Sequence, residues 1–528
     1  MRFHRISAVQ TVLLAFATAT SPLHAASRIE SYANPSIYPA SKTFSLAVNG
    51  SSIPVTDFEV GNDTAVEYSF AHFSFSGPIT LSVTAPEDIT TSSISPLAFA
   101  IHGTVDRHSL AFSLAQSRYL IIKINDLQEL VIAADALDSD IPDLHAKTTY
   151  NILKFGADPT CVKPSTAAIQ HAIDTATKKG GVVYVPPGLY AIASLTLRSH
   201  VTLYLDGGAV LRALSNPSLY AVTFHKASLK MKGSWLIQAE AGAHDFAIRG
   251  RGVIDGNGAA LRDSGNFLLD LIEPVNVKSF TVDGIVGRDA GMWSVAPTRA
   301  SNVVIRNYKG LQSLTHFEDD AIDINESQDV TIDHVLAISE DDTFSTKTWE
   351  PSTDIATNWT GSPQVVRHVV ASDLLAWTHC AAFKIGNGHL QAQSDIVFRN
   401  SYVYNSSRAI AVDPLFGTAP VEDVVFENID IEGVTFKRDG PYWLKIVSAE
   451  RGAGAGPVRN ITLRNINVRQ AGARQPRILG FDAKADIRGV LFDNVVVEGK
   501  ALRNMADLNA TTNQFVSDIH FSSAAEGK

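Results

Sequence analysis

Eight short apolar runs, each closed by glycine or a polar residue, recur between residues 280 and 494. They are FTVDG ending at Gly284, VVIRN at Asn307, VTIDH at His334, VVASD at Asp373, IVFRN at Asn400, VVFEN at Asn428, ITLRN at Asn465 and VLFDN at Asn494. Successive end points differ by 23, 27, 39, 27, 28, 37 and 29 residues. A strand that returns once per twenty-odd residues, with insertions, is the pattern of a solenoid whose stacked coils bury one continuous core. Propeller blades need four strands in about 40 residues and closely spaced hairpin turns, and these intervals are too short for that. The expected fold is mostly β, a right-handed parallel β-helix. Asparagine recurring at one coil position points to an amide ladder at a turn, because Asn tolerates the left-handed conformation and can bond its neighbours.

A solenoid exposes apolar core at its ends and needs caps. STAAIQHAIDTATKKGG supplies one amphipathic helix over 165–179, with Ser165 as N-cap, Ala168, Ile169, Ala172, Ile173 and Ala176 on one face, and Gly180 as the stop. Upstream, EYSFAHFSF, ITLSVTA, HSLAFSL and YLIIKI alternate as half-buried antiparallel strands do. They imply a β-sandwich domain over 27–145, placed over the same end as the helix, followed by a β-helix domain over 146–528. Residues 1–26 read as a cleaved signal peptide: Arg2 and Arg5, a short apolar stretch, Pro22 and a small-residue site near Ala25. A secreted or periplasmic protein is expected, with no membrane association after cleavage.

Removing Arg2 and Arg5 takes the formal charge from −10 to −12. The mature chain lacks the basic footprint of a nucleic-acid binder, and a polyanionic substrate is mildly disfavoured. Two cysteines, Cys161 and Cys380, rule out a disulfide framework.

HFEDDAIDI sets Glu318, Asp319 and Asp320 together, and SEDDTFSTKTW sets Glu340, Asp341 and Asp342 together. Asp320 and Asp341 are 21 residues apart, close to one coil, so stacking brings the triplets to one face. Crowded carboxylates are costly unless a cation or a proton relieves them. Solvated coil turns, a Ca²⁺ site and a glycosidic acid–base pair all fit this pattern. Consecutive strand residues point to opposite faces, so Asp341 and Asp342 share a cleft only if the chain bends there.

The motifs YNILKFGADPT, GGVVYVPPGLY, IRGRGVIDGNG, DDAIDINESQDVTIDHVLAISEDDTFSTK and CAAFKIGNG stand in the order seen in family 28 glycoside hydrolases, the polygalacturonase family, and the match covers roughly residues 148–500. The resemblance implies a β-helix and an inverting hydrolase without a cofactor or metal. Matched to that family's motifs, Asp341 takes the place of the general acid, Asp320 and Asp342 those of the water activators, and Lys347 fits a bacterial variant of the pattern. The chain departs from the family at Cys380-Ala381-Ala382, where a supporting histidine is missing and His379 is out of frame. It departs again at Ala411, Val412 and Asp413, where an Arg-Ile-Lys clamp for a uronate is replaced. The acidic triad with an N-terminal sandwich is also similar to family 49, the dextranase and isopullulanase family.

The expected substrate is therefore a polysaccharide, a neutral glycan such as an α-glucan, whose hydroxyls would meet Asp413. The alternatives are a pectin hydrolase of the polygalacturonase type, a Ca²⁺-dependent lyase on the same fold, and a non-enzymatic carbohydrate-binding β-helix. Lys384 and Arg408 are candidate substrate contacts with Lys347, Asp413 and His379, and Trp293, Trp349 and Trp377 are candidate sugar platforms. The insertion EPSTDIATNWTGSPQ is expected to wall the cleft, since solenoid insertions become loops on one face.

Overall fold

The computed structural model describes residues 27–59, 65–349, 355–357, 359–438 and 440–522. The proposed signal peptide lies outside them. Stacked parallel strands from Thr149–Asn151 to Val516–Ser522 form the longest sheet of a right-handed parallel β-helix. One inward column shows why the repeat folds this way. Phe280, Val303, Val330, Val369, Ile396, Val424, Ile461, Val490 and Ile519 stand directly above one another, each coil burying the apolar side chain of the next.

The residue closing each of the later repeats is the turning point of its coil. Asn307, His334, Asp373, Asn400, Asn428, Asn465 and Asn494 have φ between 50° and 55°. The side chains form the expected ladder: Asn428 Nδ2 donates to Asn400 Oδ1 at 2.9 Å, Asn465 to Asn428 at 2.8 Å, and Asn494 to Asn465 at 2.8 Å.

Helix α1 (Thr166–Ala176) covers the first coils with Ile169, Ala172, Ile173 and Ala176 buried. It is shorter than 165–179, and Ser165 does not cap it with its side chain. The Ser165 hydroxyl instead accepts from the Asp158 backbone N–H at 2.9 Å. Strands between Arg28 and Ala136 form a six-stranded and a five-stranded sheet that share one apolar core, the β-sandwich.

The sandwich does not cover the end that α1 caps. It packs on the flank of the solenoid, where Phe58, Tyr68 and Tyr119 meet Leu311, Ile338, Leu375 and Trp377. Polar contacts pin it there. Asp135 accepts from Lys309 Nζ at 2.6 Å and from the Tyr119 hydroxyl at 2.7 Å, and pairs with His72 Nε2 at 2.8 Å. The large aromatic surface on the sandwich face complements the apolar outer side chains of several coils, whereas the end is already closed by α1. Among the described residues no helix is long and apolar enough to cross a membrane.

Candidate active site

A second, shorter parallel sheet forms the floor of a groove along the solenoid. Its strands are numbered here β1 (Ile322–Asn325), β2 (Phe344–Thr348), β3 (Ala381–His389), β4 (Arg408–Phe416), β5 (Tyr442–Val447), β6 (Arg477–Leu479) and β7 (Thr511–Thr512). Both acidic triplets lie just before a strand of this sheet. The preceding strand ends at Ser339 and β2 starts at Phe344, so Glu340 to Thr343 form the expected bend. Backbone bonds from Ala321 N–H to the Asp342 carbonyl (2.9 Å) and from Ile322 N–H to the Thr343 carbonyl (2.9 Å) lock the two corners together as neighbouring coils.

Asp319 holds the corner. Its Oδ1 accepts from the backbone N–H groups of Glu340 at 2.9 Å and Asp341 at 3.0 Å, and burial pushes its carboxyl well above the usual range. Asp320, Asp341 and Asp342, only 2%, 7% and 2% exposed, line a groove of about 900 Å³. Carboxylate oxygens of Glu318, Asp320 and Asp341 approach within 4.8 Å of one another. That is closer than the about 6.5–9.5 Å usually left between the carboxyls of an inverting pair.

Side-chain cations relieve this crowding. Lys347 Nζ donates to Asp320 at 2.5 Å and to Asp323 at 3.0 Å, and stands 4.6 Å from the centre of the Trp293 ring. Lys384 donates to Asp342 at 2.6 Å, Lys226 pairs with Glu318 at 2.9 Å, and Arg438 reaches Asp341 at 2.9 Å and also Glu340. Four cations thus offset part of the negative charge of the cluster, Lys347 and Arg438 each serving two carboxylates, while Asp319 has only backbone donors among the described residues.

The environments push the acids apart. Burial, with the Asp323 charge next, drives Asp320 well above the usual carboxylate range against the pull of Lys347. Burial acts upward on Asp341 too, but Arg438 and then Lys384 overcome it and hold this carboxyl well below the ordinary range. Paired with Arg438, therefore, Asp341 is ionised. That is the reverse of a waiting general acid.

Beyond the acids the groove is cationic. Lys384, Ala411, Lys445 and Arg477 are successive members of one register column running up β3, β4, β5 and β6. At about 4.8 Å per rung the column spans roughly three coils. Arg408 and Arg451 line the same groove. Asp413 does not present a bare negative charge to a ligand: Lys445 Nζ donates to it at 2.9 Å. The cation absent from residues 411–413 is supplied one coil further on, and a net charge of −10 says nothing of this local field.

Of the aromatic candidates, Trp293 and Trp349 line the groove. Trp377 does not. It is buried under the sandwich, 5.7 Å from Tyr68 and 5.3 Å from Tyr404 between ring centres. His379 packs 3.8 Å from Phe436, and burial followed by the Arg438 charge lowers it to about 4, so it is a neutral packing residue and not a groove contact. Cys380 is buried, with Arg408 beside its sulfur at 2.5 Å. Residues 350–354 and 358 of the insertion lie outside the described residues. Its Ile355–Thr357 strand pairs antiparallel with Phe224–Lys226, which carries Lys226 into the groove.

Lys226, Asp323, Arg438, Lys445, Arg451 and Arg477 are site residues that the sequence reading missed. Lys445 and Arg477 were detectable, since LKI and PRI align with FKI of Lys384 once the strands of this second sheet are written in register. Arg438 lies between strands, where no register signals it.

A β-helix with an acid cluster opening on a cationic groove offers proton donors and acceptors beside a binding track for an extended anionic ligand. Residues 149–435 match the family described as rhamnogalacturonase A/epimerase, pectate lyase-like, and the chain belongs to that family. It is 24% identical over 366 residues to the probable rhamnogalacturonase E of Aspergillus oryzae, covering 67% of this chain and 76% of that protein. It is 25% identical over 354 residues to rhamnogalacturonase A of Aspergillus aculeatus, covering 63% and 69%. In fold it is similar to an exopolygalacturonase from Thermotoga maritima, with a TM-score of 0.57, 17% identity and coverage of 72% and 93%. It is also similar to Dex49A from Penicillium minioluteum, with a TM-score of 0.57, 12% identity and coverage of 93% and 96%.

Proposed function

We propose that the protein is a secreted glycoside hydrolase that cleaves a pectic polysaccharide beside a uronic acid, on a backbone of the rhamnogalacturonan or polygalacturonan type. The observation that carries this reading is the column Lys384, Lys445 and Arg477 leading from the carboxylates along the groove. A strand of uronates laid along the solenoid would meet a cation on the β3, β5 and β6 turns, with Asp413 on β4 already neutralised by Lys445. The curated relatives, named as rhamnogalacturonases, favour this substrate over a neutral α-glucan.

In the proposed mechanism Asp341 protonates the leaving glycosidic oxygen, while Asp320 and Asp342, oriented by Lys347 and Lys384, hold the attacking water. Inversion belongs to the same proposal and requires the bound sugar to part acid and base carboxyls that stand within 4.8 Å of one another here. Purified protein should release reducing ends from rhamnogalacturonan or polygalacturonan in the presence of chelator, and Asp341→Asn should lose about 10²–10⁴-fold in kcat, the usual worth of a general acid. Proton NMR of the first-formed product reports the stereochemistry, and a retained anomer would move Asp320 or Asp342 to the role of nucleophile. Unsaturated products absorbing in the ultraviolet would make the protein a lyase and sink the hydrolase.

A further inference from the structure

Arg438 occupies the position that the acid–base chemistry most needs open. Its guanidinium bridges Glu340 and Asp341, with the Asp341 Oδ2 contact at 2.9 Å, and its face lies 5.0 Å from the Phe317 ring centre. The backbone here is anchored, since the Ser407 hydroxyl donates to the Arg438 carbonyl and the Gly440 N–H bonds the Lys437 carbonyl. The side chain is 27% exposed and faces the groove that also holds Lys445 and Arg477. Swinging it therefore requires only side-chain rotation. A guanidinium is a planar fork suited to carboxylates, so a uronate entering this groove competes with Asp341 for the same donors.

We propose that Arg438 is a substrate-exchanged latch: the carboxylate of a bound uronate takes the guanidinium from Asp341, and Asp341 then accepts a proton from solvent and becomes the general acid. This rests on the uronate reading above. The charges facing Asp341 fit it. Glu318, Asp320, Asp342 and Glu340 surround it, and its burial opposes its ionisation once Arg438 leaves; Lys384 on Asp342, Lys347 on Asp320 and the buried Cys380 still favour the charged form but stay with their own partners. The neighbours of Arg438 itself are Glu340, Asp341, Phe317, His379 and Cys380. The exchange conserves charge: one guanidinium–carboxylate pair is replaced by another, and one proton enters. It also builds in selectivity, because a methyl-esterified or neutral sugar cannot displace the latch.

The test is calorimetric titration of galacturonate, a monosaccharide with no bond to cleave, into the full protein near pH 5 in buffers of different ionisation enthalpy. Binding to wild type should take up about one proton per ligand, and in Arg438→Gln the uptake should fall close to zero. Arg438→Lys, which keeps a charge but not the fork, should take up an intermediate amount. Circular dichroism and thermal unfolding establish that the variants are folded. Wild type should turn over de-esterified substrate at least about tenfold faster in kcat than its methyl ester, and Arg438→Gln should erase that ratio. Equal proton uptake in wild type and Arg438→Gln, or galacturonate binding to wild type without uptake, overturns the latch. Failure of galacturonate to bind while galactose binds overturns the uronate reading, and the latch with it.

Discussion

At the scale of single residues the site is a set of charges that make sense only in pairs. Asp413 and Lys445 are the clearest case, with side chains 2% and 15% exposed and 2.9 Å apart. Removing one partner of a mostly buried pair strands the other, at a cost of about 1–3 kcal/mol for a lysine that keeps some access to water. Lys445→Met should lower the melting temperature and raise KM for de-esterified substrate about tenfold; Lys445→Met with Asp413→Asn should recover the melting temperature but not KM. Recovery of both would show that the lysine only neutralises Asp413. Asp320, Asp341 and Asp342 were legible in the sequence, because like charges one coil apart are rare without a purpose. The protonation pattern was not, because it depends on Arg438, 97 residues from Asp341 and held next to it only by the fold.

At the scale of elements, the turning residue of each coil decides whether the strands stack in register. Asn428 is exposed, has φ of 55°, donates to Asn400 and accepts from Asn465. Asn428→Gly keeps the left-handed backbone and loses only solvent-facing bonds, so it should cost under about 1 kcal/mol. Asn428→Val forces a β-branched residue into that conformation and should cost about 1–3 kcal/mol more, which denaturant unfolding of the three proteins would measure. Equal costs would mean that the amide ladder, not the backbone angle, is what matters. The repeats themselves could be read directly, since an inward apolar column imposes its period on the chain. The second sheet was harder to see. Five of its seven strands have six residues or fewer, and Lys445 and Arg477 carry no apolar signal.

At the scale of the whole molecule, the sandwich is docked on the solenoid by apolar packing and by buried polar contacts, among them the cluster around Asp135. His72 sits there against Asp135, Lys309, Arg251 and Tyr32; burial first, then the Lys309 charge, lowers it from 6.5 to about 4. Between those values the unfolded chain binds a proton at this histidine that the folded protein does not, so stability from this group falls as pH drops from 6.5 towards 4. Measured against His72→Gln, wild type should lose about 3 kcal/mol more over that interval in chemical denaturation, and parallel pH profiles would exclude the histidine as the cause. The sequence by itself determined the repeat, the mostly-β class, the sandwich strands and the meeting of two acidic triplets, because each is written in local periodicity or in residues one coil apart. Only the tertiary structure decided where the sandwich rests, that Trp377 lies beneath it, and that a chain of net charge −10 carries a cationic groove ending on Arg438. Those outcomes depend on pairings between distant side chains, and a pairing between residues far apart in the chain leaves no period behind to be read.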